Sequence, residues 1–174
     1  MTTVSRKYAE LIDSLKGKDK IRVLFVCLGN ICRSPAGEGV MKEIVKEKGA
    51  EDRWVIDSAG TGGWHVGELP DKRMRVHARQ RGIELDHHCR QVKPADFDRF
   101  DLIIGMDANN VANLRKIAPS LEAAKKIIPM AQFIDLKFGY DHVPDPYYEG
   151  SEGFELVLDL LQDGCANLYA NLTE

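Results

Sequence analysis

The sequence predicts an α/β three-layer sandwich: a four-stranded parallel sheet with helices on both faces. Short apolar runs rich in β-branched residues alternate with segments of helical periodicity, which implies right-handed βαβ units. The run Val23–Val26 breaks at Gly29-Asn30 and restarts at Ser34-Pro35. This is the signature of a strand passing through a tight loop into a helix with proline in its first turn.

Residues 3–16 repeat Val4, Tyr8, Leu11, Ile12 and Leu15 at helical spacing, predicting an amphipathic helix. Gly17-Lys18-Asp19-Lys20 reads as a linker, so residues 1–20 form an N-terminal helical extension ahead of a domain over 21–174. The favoured position for this helix is against its own domain.

The loop is followed by a helix over 35–48 with Ala36, Val40, Ile44 and Val45 on one side and Gly49 as its stop; Gly37 and Gly39 weaken its first turns. Val55–Ser58 is a short strand, and Ala59–Leu69 is a glycine-rich loop. Trp64 in that loop either covers something or folds back on the core. A helix over Asp71–Arg81 ends at Gly82. The stretch Asp86–Gln91 is a polar loop, and Pro94–Asp98 is a short helical turn. Leu102–Met106 is a central strand ending at Asp107, which can cap a helix over 108–117. Lys126–Pro129 is the last strand, and Met130–Pro144 is irregular. Residues 151–172 close the chain as a helix with Phe154, Val157, Leu158, Leu161, Cys165 and Leu168 on one face.

A chain of 174 residues suits one core. With 44% hydrophobic and 29% charged residues it reads as globular, and no apolar run has membrane-spanning length. A net charge of −3 points away from nucleic acid, so an anionic ligand must be held by local donors. Four cysteines do not make a disulfide framework here and are read as reduced thiols of a cytoplasmic protein.

The chemistry concentrates in the first loop. Cys27 ends a strand, and Arg33 and Ser34 follow at the helix start, where backbone N–H groups favour an anion. A thiolate is the reactive form of cysteine, and a helix N-terminus and a cation both favour it. Arg33 has a planar fork that matches two phosphate oxygens, and Ser34 can donate to the sulfur. Nucleophile, cradle and clamp suit phosphoryl transfer through a phosphocysteine. Leu28, Gly29, Asn30, Ile31, Cys32, Arg33 and Ser34 supply the phosphate-binding groups. A leaving alkoxide or phenoxide needs a proton, and Asp145, held between Pro144 and Pro146, is the candidate acid; Asp141 lacks that setting. Tyr147 and Tyr148 beside it would form an aromatic wall opposite Trp64. A zinc site is disfavoured because no second Cys/His pair follows Cys27 and Cys32 at ligand spacing and Arg33 would repel the cation. The glycines at 60–63 complete neither a nucleotide loop nor a dinucleotide fingerprint.

Two stretches, Val26–Pro35 and Asp145-Pro146-Tyr147-Tyr148, resemble the two signatures of the low-molecular-weight protein tyrosine phosphatases, and the resemblance runs from about Ile21 to Leu172. It implies a sheet of order 2-1-3-4 and hydrolysis of phosphotyrosine without a cofactor. Cys27, Arg33 and Asp145 become the catalytic residues. It further implies that His87 supports the loop through Asn30, Ser34 and Ser58. Asp107 pairs with Arg33, and the Trp64 region walls the cleft. Cys32 traps oxidised Cys27 as a reversible disulfide. Related arginine phosphatases carry threonine where Ile31 stands, and an apolar Ile31 favours an aryl phosphate. The implied partners are phosphotyrosine-containing proteins, with a cognate tyrosine kinase as a further candidate, no nucleic acid and no membrane. The chain is expected as a monomer or weak homodimer. The N-terminal helix departs from the resembled pattern, whose members begin close to the first strand.

Two rival readings remain. Thioredoxin-coupled arsenate reductases share this fold but need two further cysteines close together, and Cys89 has no such neighbour. A non-catalytic phosphotyrosine-binding module would not need Cys27, Arg33 and Asp145 together.

Overall fold

The computed structural model describes residues 4–174. Four strands, β1 (Ile21–Cys27), β2 (Trp54–Gly60), β3 (Leu102–Gly105) and β4 (Ile127–Pro129), form one parallel sheet of order β2-β1-β3-β4. The expected fold class and strand order are found. β1 is central, and its neighbours in the sheet lie on opposite sides of it, a reversal that opens a crevice beyond its C-terminal end.

Alternation along the strands feeds two cores. Val23, Phe25, Leu102, Ile104 and Ile128 face one side, where α1 (Arg6–Leu15), α2 (Arg33–Glu47), α3 (Lys72–Arg79) and α7 (Ser151–Thr173) pack. Leu24, Val26, Ile103 and Ile127 face the other, with α4 (Asp96–Arg99), α5 (Ala108–Ile117) and α6 (Leu121–Ala124). A strand buried on both faces reads as an unbroken apolar run, as β1 does from Val23 to Cys27.

The sheet is longer at β1 and β2 than the apolar runs indicated, because pairing continues from Ile21↔Trp54 to Cys27↔Gly60. α2 begins at Arg33, two residues before Pro35. Every residue from Arg33 to Met41 is buried, so the first half of this helix is wrapped all round, while its second half exposes Lys42, Lys46 and Glu47 and buries Val45. Gly39 does not weaken α2 so much as let it pack: a Cβ there would lie 2.3 Å from Leu85 Cδ2. α3 starts one residue after the expected position because Asp71 is its N-cap, accepting from the Arg73 N–H at 2.8 Å.

Tyr8, Ile12 and Leu15 of α1 are buried in the core that α7 shares, so the helix packs on its own chain. It is shorter than the periodic pattern, and residue 3 lies outside the described residues. The linker is tied down by Asp101, which accepts from Lys18 Nζ at 2.9 Å and from the N–H of Arg22 at 2.9 Å. The stretch 130–144 contains two 3-10 turns, Met130–Phe133 and Leu136–Phe138, and then buries Val143, whose N–H donates to Met106 O.

No helix among the described residues is long and apolar enough to cross a membrane.

Candidate active site

The C-terminal end of β1 opens into a cavity of about 260 Å³. Cys27, Leu28, Gly29, Ile31, Cys32 and Arg33 form its floor; Trp64, His65, Asp145, Tyr147 and Tyr148 stand around it. Residues far apart in sequence meet here because two strand ends, β1 and β3, and the segment before α7 converge on one edge of the sheet.

The loop from Cys27 to Arg33 turns at Asn30, which carries the left-handed backbone (φ 59°) of the Gly29-Asn30 pair. The side chain of Asn30 pays for that conformation by holding several groups at once. Nδ2 donates to Ser34 Oγ at 2.8 Å and to Ser58 Oγ at 3.0 Å. Oδ1 accepts from the N–H of Arg90 at 2.9 Å and lies 3.0 Å from His87 Nε2. Ser58 Oγ in turn donates to Glu38 Oε1 at 2.6 Å, and His87 Nδ1 faces Glu38 and Asp57 at 3.3 and 3.4 Å.

The carbonyls of the loop are pinned one by one. Cys27 O accepts from Thr61 N at 2.9 Å, Leu28 O from Gly62 N at 2.8 Å and Ile31 O from Asp71 N at 2.8 Å. Cys32 O takes the first helical bond, from Ala36 N, and Asn30 O accepts from Cys89 Sγ at 2.7 Å. The peptides are trans, so each pinned carbonyl aims the next residue's N–H the opposite way. The amides of Leu28, Gly29, Ile31, Cys32 and Arg33 therefore point away from those partners, none of which lines the cavity, and so to the cavity side of the loop. Gly60 permits this crowding, since a Cβ there would lie 2.8 Å from Leu28 O.

Cys27 Sγ sits beneath these amides, 3.0 Å from Ser34 Oγ and 3.4 Å from the Ser34 N–H that donates to it. Arg33 is buried, with Nη1 donating to Asp107 Oδ2 at 2.6 Å and to Val143 O at 3.1 Å. Burial works against its charge, but Cys27 and then Asp107 outweigh it and raise its pKa. Asp107 both pairs with Arg33 and caps α5, its other oxygen accepting from Asn110 N at 2.8 Å. Asp145 is 47% exposed, with Oδ2 3.8 Å from Arg33 Nη2 and Oδ1 accepting from Tyr147 N at 3.1 Å. It thus hangs over the cavity instead of being locked into a pair.

Trp64 is 71% exposed and lines the cavity, so it is not folded onto the core. Tyr147 and Tyr148 meet edge to face, ring centroids 5.0 Å apart. The Arg73 guanidinium lies over both the Tyr147 and Phe154 rings, at 5.3 and 4.9 Å, and is held by Asp71. Cys32 also lines the floor; burial, and then the charge of Asp71, push its thiol pKa far up.

A sequence model of the low molecular weight phosphotyrosine protein phosphatases matches residues 22–174. The chain belongs to this family. The Bacillus subtilis low molecular weight protein-tyrosine-phosphatase YfkJ is 43% identical over 155 residues, covering 87% of this chain and 96% of that protein. The crystal structure of a protein tyrosine phosphatase from Entamoeba histolytica superimposes with a TM-score of 0.85 at 42% identity, over 88% of this chain and 97% of its own. A Drosophila arginine phosphatase also superimposes, at 32% identity and a TM-score of 0.78, covering 86% of this chain and 96% of its own. α1 lies outside the residues that the family model matches.

Several groups of the site were not singled out from the sequence, among them His65, which lines the cavity, and Arg90 and Asp57, which meet Asn30 and His87. Glu38, a charged residue in a helix pattern, carries no signal of being buried. The donor role of Cys89 and the carbonyl of Val143 emerge only from chain crossings that no local pattern records; the Asp71–Arg73 pair is local, and only its place against Tyr147 comes from such a crossing.

Proposed function

We propose that this phosphatase hydrolyses phosphotyrosine in proteins through a phosphocysteine on Cys27. The observation that supports this is the convergence of Cys27, Arg33 and Asp145 on one cavity. Arg33 and the loop amides hold the three equatorial oxygens of the transferring phosphoryl group as Cys27 attacks. Asp145, exposed at the cavity mouth, gives its proton to the tyrosyl oxygen, then takes one from the water that attacks phosphorus and breaks its bond to the Cys27 sulfur. Phosphate leaves and the thiolate returns. Guanidinium and amides supply the positive charge, so the scheme needs no metal.

Trp64 on one side and Tyr147 and Tyr148 on the other offer faces for a flat ring. Phosphoserine has no ring to set between those faces, and its phosphate sits closer to the peptide backbone. Ile31 on the floor gives a guanidinium nothing to bond. The shared fold alone does not separate aryl from guanidinium substrates, given the Drosophila arginine phosphatase, and the argument rests on the lining. Hydrolysis of phosphotyrosine, phosphoserine and phosphoarginine peptides, side by side and without metal, tests it; phosphotyrosine should be cleaved at least tenfold faster, and preference for phosphoarginine refutes the reading.

The same reading takes residues 1–20 as a helical extension of a phosphatase domain over 21–174. It places the protein in the cytoplasm, as a monomer or weak homodimer, with a cognate tyrosine kinase as a partner. Cys32 serves as a redox partner. Peroxide converts the Cys27 thiolate to a sulfenic acid, and the Cys32 thiol displaces water from it to leave a disulfide. If Cys32→Ser recovers from peroxide with dithiothreitol as fully as the parent, this protective role is wrong.

A further inference from the structure

We infer that Cys89 is a positioning residue for phosphate binding: its S–H, donated to Asn30 O, aims the Ile31 N–H at the phosphate. The inference rests on the phosphatase reading of the cavity, but concerns a residue that reading does not use.

The carbonyls that flank the loop are held by backbone N–H groups at Cys27, Leu28, Ile31 and Cys32. Asn30 O is held by a side chain, with Cys89 Sγ at 2.7 Å. The difference matters because Asn30 is also where the backbone is left-handed, so its peptide has the weakest intrinsic reason to stay as it is. The Asn30–Ile31 peptide is planar and trans, and rotating its carbonyl away from Cys89 would rotate the Ile31 N–H out of the cavity. The Asn30 side chain is secured separately, by Ser34, Ser58 and Arg90, and none of those bonds fixes the main-chain carbonyl.

Cys89 is well placed to hold still. Its own N–H donates to Glu68 O and its carbonyl accepts from Gly67 N, each at 2.8 Å, so it is clamped to the loop that carries Trp64 and His65. Cys89 therefore joins the aromatic rim to the phosphate cradle. It is 3% exposed, and burial, with the charge of Cys27 next, pushes its thiol up to about 11. It thus keeps the proton that a donor needs at neutral pH.

Cys89→Ala removes the donor, and Cys89→Ser restores one. A serine hydroxyl sits a few tenths of an ångström further back than the sulfur, still within hydrogen-bond range of Asn30 O. Binding of inorganic phosphate, measured by calorimetry, reads the cradle directly and needs no turnover. The alanine protein should bind phosphate about 3- to 10-fold more weakly, the worth of one such bond. Its KM for para-nitrophenyl phosphate should rise by a similar factor with a smaller change in kcat, and serine should return both to within about twofold. Unchanged phosphate affinity in the alanine protein, or a serine protein as weak as alanine, overturns the assignment. Should the alanine protein not fold, the parent protein decides: the Ile31 amide must shift strongly in 15N–1H spectra on adding phosphate, and an unmoved Ile31 amide overturns it. A parent protein that binds phosphate yet leaves aryl phosphates intact counts against the phosphatase reading alone.

Discussion

Ser34 approaches the Cys27 sulfur twice, with its hydroxyl at 3.0 Å and its N–H at 3.4 Å. Asn30 Nδ2 donates into the same hydroxyl at 2.8 Å, which occupies an oxygen lone pair and leaves the proton to be given onward. The competing acceptor, Ala59 O, is further away at 3.3 Å. Ser34 O–H is thus aimed at sulfur; in the proposed mechanism it stabilises the thiolate before attack and as the leaving group when phosphocysteine breaks down.

Ser34→Ala is therefore expected to lower kcat for para-nitrophenyl phosphate by about 10- to 100-fold, the range of a hydrogen bond to a charged group. Rapid-mixing kinetics should show a burst of para-nitrophenol, because breakdown slows more than formation. A variant without a burst and with parental kcat counts against this role.

Cys27→Ser should abolish turnover while phosphate still binds, since Arg33 and the amides are untouched. Asp145→Ala should slow cleavage of aryl phosphates by about 10² to 10⁴. In the proposed mechanism Asp145 protonates the leaving group, so its loss should matter less for substrates whose leaving phenol is already acidic. A leaving-group series in the alanine variant checks this dependence.

Three of the four thiols are held protonated. Burial raises Cys32, Cys89 and Cys165, with nearby negative charge adding to the first two. At neutral pH iodoacetamide should label Cys27 alone, and excess phosphate should protect it; mass mapping of the labelled peptides checks both. The unfolded chain releases such protons near about pH 8.5, whereas the fold retains them. Stability should therefore fall as pH rises above that point, and denaturant titrations from pH 7 to 10 would show it.

Asp101 works in the opposite direction. Burial alone would raise its pKa, but hydrogen bonds from Arg22 and Lys18 outweigh burial and lower it. Its contribution to stability is present above the unfolded carboxylate value of about 3.9 and is lost as pH falls through the lower folded value. Asp101→Ala should cost about 1–3 kcal/mol at neutral pH, with a flatter acid limb in thermal melts than the parent.

The strands and the cradle were legible because their signals are contiguous, whereas the strand order came from the family resemblance. β1, its loop and α2 follow one another in a single run, and Asp145-Pro146-Tyr147-Tyr148 is equally local. The packing of α1 was legible from Tyr8, Ile12 and Leu15, which recur on one face. Trp64 was not decided by sequence because a ring in a glycine-rich loop has both options, and only the cavity it lines separates them. Glu38 was invisible for a different reason. A glutamate in a helix is ordinarily solvated, and its burial is forced by Ser58 and His87, which arrive from other elements. Helix α6 and the 3-10 turns are shorter than any periodic pattern can reveal.

The boundary of the family match falls at Arg22, yet Tyr8, Ile12 and Leu15 of α1, and Ile21 beside it, are sealed into the same interior as α7. Trimming the chain to the matched segment would strip a greasy strip of α7 bare while leaving the catalytic pocket intact. Such a shortened protein should remain competent toward small aryl phosphates but become sticky, so solubility, more than chemistry, is what the leading helix protects.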